Sequence, residues 1–305
     1  MPPSTGLRAR IRAELTVEIK EEARRQLAAE GAPGLSLRAV TRSLGMASSA
    51  IYRYFPSRDD LLTALIVDAY DAIGDAAEQA DARCPSNDFG GRWMAVGQAI
   101  RAWSLANPHE YALVYGSPVP GYRAPEDTVG PASRVTLVMA GIVDNAALSG
   151  CLCDPPWSPS LAPIGSDATA AIQTLIDLAF PHASAETAVR AVAAWTQLFG
   201  IISFELFGHF HRVIDRSTPV FDRALLEMGR VVGLQAPWSA AGGREDASAG
   251  EASRAAGEAS RTAEEASRAA GEASRTAEEA SRAAGEASRA AGEDPDGEDE
   301  VWYLV

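Results

Sequence analysis

The sequence predicts an all-α protein, and three observations carry that reading. Apolar residues recur every three or four positions through most of the first 238 residues. Those runs are bracketed by helix caps and breakers, among them Ser36, Gly45, Pro56, Ser57, Asn107 and Pro181. The one strand-like stretch, Val-Thr-Leu-Val-Met at 135–139, has helical flanks.

The first helix carries Leu7, Ile11, Leu15, Ile19, Ala23 and Leu27 at i+4 spacing and ends at Gly31 and the Ala32–Gly34 turn. A second, short helix begins at Ser36, an N-cap residue type, and buries Leu37, Val40 and Leu44. Gly45 breaks the chain. A third helix of two turns, Ser48–Phe55, is stopped by Pro56. Ser57-Arg58-Asp59-Asp60 reads as a capping box, opening a long helix to about Ala82 that buries Leu61, Leu62, Leu65, Ile66, Ala69 and Ile73. Helices follow at 92–106 and, capped by Asn107 with Pro108 in its first turn, just beyond. The Pro- and Gly-rich stretches 116–131 and 154–166 read as loops around a helix at 134–150. Further helices are expected at 167–180, at 184–210, which is apolar on every side, and at 220–234, amphipathic and capped by Thr218 ahead of Pro219.

After Trp238 the composition changes. Residues 251–292 are six consecutive sevens, each Glu-Ala-Ser-Arg-Ala-Ala-Gly or Glu-Ala-Ser-Arg-Thr-Ala-Glu. A heptad period without large apolar residues cannot bury enough surface to offset its ordering entropy, so residues 239–305 are expected to be a disordered, low-complexity acidic tail. The final Val301–Val305 is abruptly apolar and reads either as a docking or degradation tag or as a plain terminus.

Composition narrows the functional classes. The net charge of -14 is unevenly spread: residues 1–58 carry +5, residues 59–238 carry -10 and residues 239–305 carry -9. A small basic head on an acidic body is the charge pattern of an oriented polyanion binder. Cys84, Cys151 and Cys153 form no even framework, which favours a reducing compartment and buried thiols. Cys151 and Cys153 are half a metal site without a second pair, so neither a metal nor any other cofactor is expected. The start lacks the apolar core of a signal peptide, and the most apolar run, 198–208, contains Glu205 and is too short to span a membrane. A cytoplasmic protein without membrane attachment is expected.

The stretch Leu44–Leu62 carries three serines, two tyrosines and two arginines ahead of its first acid, Asp59. Two short helices joined at Gly45 make a helix-turn-helix candidate, locked by Leu37, Val40, Leu44 and Ile51. The outer face of its second helix, with Ser48, Ser49, Tyr52, Arg53 and Tyr54, offers hydroxyl and guanidinium donors of the kind that position phosphates. The plain alternative is the surface of an ordinary helical bundle.

Residues 34–62 resemble the N-terminal domain of the TetR family of transcriptional regulators. Gly45, Tyr52, Phe55, Pro56, Arg58, Leu61 and Leu62 match that pattern, within a resemblance covering roughly residues 7–75. It implies that Ser36 and Arg38 face DNA, that Ser48, Ser49 and Ala50 enter the major groove, and that Tyr52, Tyr54 and Arg58 take phosphates. Tyr54 stands where histidine is common, Arg58 where lysine is common, and Ala47 where a serine often caps the recognition helix. Residues 102–122 and 194–205 are similar to a TetR C-terminal subfamily named for a tryptophan and a histidine-glycine pair. Trp195 and Gly200 fit it, whereas Phe199 replaces the histidine.

The resemblance implies three regions: a helix-turn-helix DNA-binding domain at 1–58, a helical effector-binding and dimerisation domain at 59–238, and the tail at 239–305. It also implies a homodimer built from the last two helices, reading a palindromic operator in double-stranded DNA. Trp103, Tyr111, Tyr115, Trp195, Phe199 and Phe204 are candidate lining residues of an apolar pocket for a small-molecule effector, with core packing as the alternative for each. The expected function is a ligand-responsive regulator, by family habit a repressor. Two rivals stay open: an effector-independent regulator controlled through its tail, and an enzyme. The enzyme's only suggestive pairs are Asp144 with Asn145, His109 with Glu110 and Glu205 with His209, so no catalytic residues are expected.

Overall fold

The computed structural model describes residues 4–155, 164–214 and 216–235. The expected disorder of the tail and the reading of Val301–Val305 lie outside these residues. The described residues contain α-helices and short 3₁₀ turns and no strand, as the sequence predicts.

The basic head is built from α1 (Ser4–Gly34), α2 (Leu37–Ser43), a 3₁₀ turn (Ile51–Arg53) and the first half of α3 (Arg58–Ala82). Backbone geometry leaves the helix at Gly31, with φ 69° and ψ 177°, where the sequence places the end of α1. Its apolar stripe enters the core only from Ile19 onward; Ile19, Ala23 and Leu27 are buried, Leu15 is half-buried and Ile11 is exposed. Leu35, Leu37, Val40, Ile51, Phe55, Leu61, Leu62, Leu65 and Ile66 complete this core.

The expected two-turn helix Ser48–Phe55 is not formed. Residues 48–50 are a turn and residues 51–53 a single 3₁₀ turn, with Ala50 N–H donating to Ala47 O (2.8 Å) and Tyr54 N–H to Ile51 O (2.8 Å). Several weak preferences add up here. Ala47 offers no capping oxygen, the two serines and the β-branched and aromatic residues are indifferent helix formers, and Pro56 leaves too few residues to propagate.

The body comprises α4 (Phe89–Ala106), α5 (Pro108–Tyr115), α6 (Val129–Leu148), α7 (Ser166–Ala171), α8 (Gln173–Ala179), α9 (Ala185–Leu206) and α10 (Ser217–Val232), with the second half of α3. α3 belongs to both cores: Leu61, Leu62, Leu65 and Ile66 lie in the head, and Ile73, Ala77 and Ala80 in the body. The expected boundary at residues 58/59 therefore falls at the start of a helix that both cores share.

Four element readings are corrected. α6 begins at Val129 rather than near residue 134, because Pro131 sits in the first turn, where a missing N–H costs nothing. The expected helix 167–180 breaks at Ile172 into α7 and α8. Asn107 does not cap α5 with its side chain; its Nδ2 donates back to Trp103 O (2.8 Å) at the end of α4. α10 starts at Ser217, before the expected cap Thr218, and the Thr218 hydroxyl instead lies 3.2 Å from the Arg101 guanidinium.

α9 is long and apolar enough, by length and composition alone, to cross a membrane. Here it packs on α10, α4 and α6, burying Ala188, Ala191, Ala194, Leu198, Phe199 and Ile202. Its opposite side, with Val189 and Phe204, is exposed in the protomer. Where α4 meets α10, Gly97 lies under Leu225: a Cβ there would fall 2.5 Å from Leu225 Cδ2. The buried Trp93 Nε1 donates to Leu225 O (2.9 Å) at the same crossing.

Candidate nucleic-acid interface and its link to the body

The head sorts its arginines into two groups. Arg10 pairs with Glu14, Arg24 with Asp68, Arg25 with Glu22 and Arg58 with Asp59. Arg12, Arg38, Arg42 and Arg53 are exposed, and none meets a carboxylate among the described residues. Three of these four lie in residues 31–58, a stretch without a single Asp or Glu. Unneutralised guanidinium groups on an acid-free surface are what a polyanion requires.

Around them the structure places the expected contact residues. Ser48, Ser49 and Tyr52 are exposed on the turn, and Ala50 is half-buried, with Ile51 plugging the core beneath them. Ser36 caps α2, its Oγ accepting from Ala39 N–H (3.5 Å), which leaves its hydroxyl proton for another acceptor. Arg38 projects from α2, one turn before Arg42. Tyr54 is half-buried beneath the guanidinium of Arg12, 5.7 Å from its ring centre. Arg58 is committed to the fold: Nη2 donates to Ala32 O (2.7 Å) and Nε to Leu35 O (3.1 Å), tying the end of α1 to the start of α3. Sequence reasoning missed Arg12 and Arg42. Arg42 was legible from its acid-free neighbourhood; Arg12 becomes visible only once α1 is laid beside the turn.

The head is joined to the body by polar contacts at α5. Asp68 on α3 accepts from Lys20 Nζ (2.8 Å) and Arg24 Nη2 of α1, and Arg24 Nε lies 3.8 Å from Glu110 on α5. Tyr70 Oη donates to Val114 O (3.2 Å), and Thr63 Oγ1 lies 2.8 Å from Tyr122 Oη. Burial pushes the Tyr70 phenol above its ordinary value.

The other side of α5 carries Tyr111 and Tyr115. Tyr115 lies 4.2 Å from the Phe199 ring centre, Tyr111 lies 5.2 Å from Tyr115, and Trp195 lies 5.2 Å from Phe199. Tyr111 Oη donates to Phe199 O (3.0 Å) and lies 2.8 Å from Ser203 Oγ; burial pushes its pKa up to about 12. Trp195 Nε1 is buried and meets no acceptor among the described residues. Four of the six expected effector residues thus form one cluster. Trp103 packs elsewhere against the same core, and Phe204 is 53% exposed, its ring against His209 and Phe210. A surface hollow of about 370 Å³, lined by Cys153, Asp154, Glu227, Arg230 and Leu234, lies apart from this cluster.

The acids suspected of catalysis are engaged in holding helices together. Glu205 forms a two-pronged pair with Arg101, and Asp144 accepts from the N–H groups of His182 (2.8 Å) and Ala183 (3.1 Å). Among the described residues no group of three or more His, Cys, Asp or Glu side chains is placed to hold a metal ion.

Comparison with known proteins agrees with this arrangement. Residues 19–65 match the family described as bacterial regulatory proteins, tetR family, and residues 93–228 match the tetracyclin repressor-like C-terminal domain. The HTH-type transcriptional regulator Rv1816 of Mycobacterium tuberculosis is 39% identical over 212 residues, covering 67% of this chain and 86% of the relative. The regulatory protein SCO4313 shares 32% identity and a TM-score of 0.60, over 75% of this chain and 98% of that one. A tetR-family regulatory protein from Rhodococcus RHA1 shares the fold at 19% identity and a TM-score of 0.50, over 72% of this chain and 98% of that one. The chain belongs to the TetR family of DNA-binding transcriptional regulators, a family of regulators rather than enzymes.

Proposed function

We propose that the protein is a cytoplasmic homodimeric repressor that leaves a palindromic operator when a small, largely apolar effector enters the aromatic cluster of its body. The observation that carries the DNA half of this reading is the set of carboxylate-free arginines around the exposed Ser48, Ser49 and Tyr52. Phosphate contacts from the arginines set register, and the turn residues read base edges.

The effector half rests on α5. One side of that short helix holds Tyr111 and Tyr115 against Phe199, which in turn lies against Trp195; the other holds Glu110 and the Val114 carbonyl against α1 and α3. A ligand that displaces Tyr115 therefore moves a helix bonded to α3, the helix that both cores share. A hundredfold loss of operator affinity needs only about 2.8 kcal/mol of differential binding between two states. The unsatisfied Trp195 N–H favours an effector that brings a hydrogen-bond acceptor. Trp195 with Gly200 also supports membership of the tryptophan/histidine-glycine subfamily, with Phe199 as the departure.

The dimer reading rests on α9. Val189, Ala193, Thr196, Phe204 and Phe207 are exposed on one stripe along it and its C-terminal turn, with half-buried Gly200 between them, where a Cβ would meet nothing within 4 Å. Small residues at the centre of an apolar stripe let a second helix approach closely.

Sequencing the duplex fragments that the purified protein retains from fragmented genomic DNA tests the reading. One shared palindromic motif, released by an aromatic compound with an acceptor group, is the expected result. A retained pool without any common motif would overturn it.

A further inference from the structure

We propose that the first turns of α1 are part of the DNA interface, with Arg12, Arg53 and Tyr54 forming a clamp for one backbone phosphate beside the recognition turn. This rests on the reading of the protein as a duplex-binding regulator.

The apolar stripe of α1 enters the core only at Ile19, and Ile11 is 45% exposed, so the preceding turns are not held by the head's hydrophobic core. A polar contact holds them instead. Arg12 Nη2 donates to Arg53 O (3.0 Å), and its guanidinium lies 5.7 Å from the Tyr54 ring centre. Together Ile11, Arg12, Arg53 and Tyr54 line a hollow of about 280 Å³.

The chemistry of that hollow is one-sided. Its lining residues are two arginines, a tyrosine and Ile11, no acid lines it, and neither Arg12 nor Arg53 pairs with a carboxylate among the described residues. The neighbouring Arg10, by contrast, is neutralised by Glu14 at 2.9 Å. A guanidinium has five N–H donors in a planar fork, and the bond to the Arg53 carbonyl uses only part of that set. The donors left over suit a tetrahedral oxyanion. Because Arg53 and Tyr54 continue directly from the turn carrying Ser48, Ser49 and Tyr52, the oxyanion positioned there is a phosphate flanking the bases being read.

The test measures binding of the full chain to a short random-sequence duplex across a salt series, comparing wild type with Arg12→Ala and Arg12→Lys. Each phosphate contact contributes about 0.9 to the slope of log affinity against log salt. The clamp predicts that Arg12→Ala lowers the slope by about 0.9 per protomer, whereas Arg12→Lys, which keeps the charge, retains it. The loss should be the same factor on random and on genomically retained duplexes. An unchanged slope in Arg12→Ala overturns the clamp. So does an equal loss in both variants accompanied by a lower melting temperature, which would make Arg12 a prop for the turn. Failure of the wild type to bind any duplex would instead sink the regulator reading itself, and the clamp with it.

Discussion

Arg134 on α6 lies across Gly74 on α3, its Nε 2.9 Å from the point that a Cβ at residue 74 would occupy. From there it reaches Asp71 Oδ1 (2.9 Å), Asp75 and Glu78 Oε2 (2.7 Å), three acids on successive turns of the helix that links head to body. Gly74→Ala is expected to push the guanidinium off this ladder and lower stability by about 1–3 kcal/mol, the range for overpacking. Urea denaturation measures it.

The same ladder has a pH signature. The hydrogen bond from Arg134 holds the Glu78 carboxyl below its ordinary value of 4.5. A depressed folded-state value stabilises the protein above the unfolded value, and that contribution is lost as pH falls through the folded one. Arg134→Met is therefore expected to cost stability at neutral pH and progressively less in acid, as Glu78 protonates through its depressed value below 4.5. A stability gap that stays constant into acid would contradict this account.

Arg101 and Glu205 are each 12% exposed and join α4, α9 and α10, with Ser217 Oγ donating to the same carboxylate (2.5 Å). Removing one partner strands the other charge. Arg101→Met is expected to cost about 3–5 kcal/mol, and Arg101→Met/Glu205→Leu to recover most of it. Equal stability of the single and double variants in denaturant titrations would show that the charge pair does not act as a unit.

Gly200 tests the dimer separately from the fold. Because a side chain there meets open space within the protomer, Gly200→Glu is expected to leave the helical signal of the protomer intact while light scattering reports a monomer. Operator affinity should fall with it, since one protomer offers only half a palindrome.

Much of the architecture was legible because local chemistry and tertiary packing agree. Ser57 caps α3 as its sequence suggests, its Oγ accepting from Asp60 N–H (3.1 Å), and all six residues expected in the α3 core are buried. The recognition segment was misread as a helix because its length and its Pro56 stop fit two turns, whereas the cap at Ala47 was already missing. Arg58 shows a different limit. A basic residue at a helix start fits a phosphate or a carbonyl cluster equally well, and only the fold brings the Ala32 and Leu35 carbonyls within its reach. The aromatic cluster was legible in composition, but Phe204 was not separable from it by spacing, since helical period alone does not say which face meets the core.

The central claim is that carboxylate-free arginines on the head grip duplex DNA despite a net charge of -14. Its most direct test is the affinity of the full chain for genomically retained duplex over a salt series, wild type against Arg38→Ala/Arg42→Ala/Arg53→Ala. The account predicts tight wild-type binding in dilute buffer with a steep salt slope, and a triple variant whose slope is shallower by about 0.9 for each phosphate contact removed. Equal affinity and equal slope for the two proteins would contradict it.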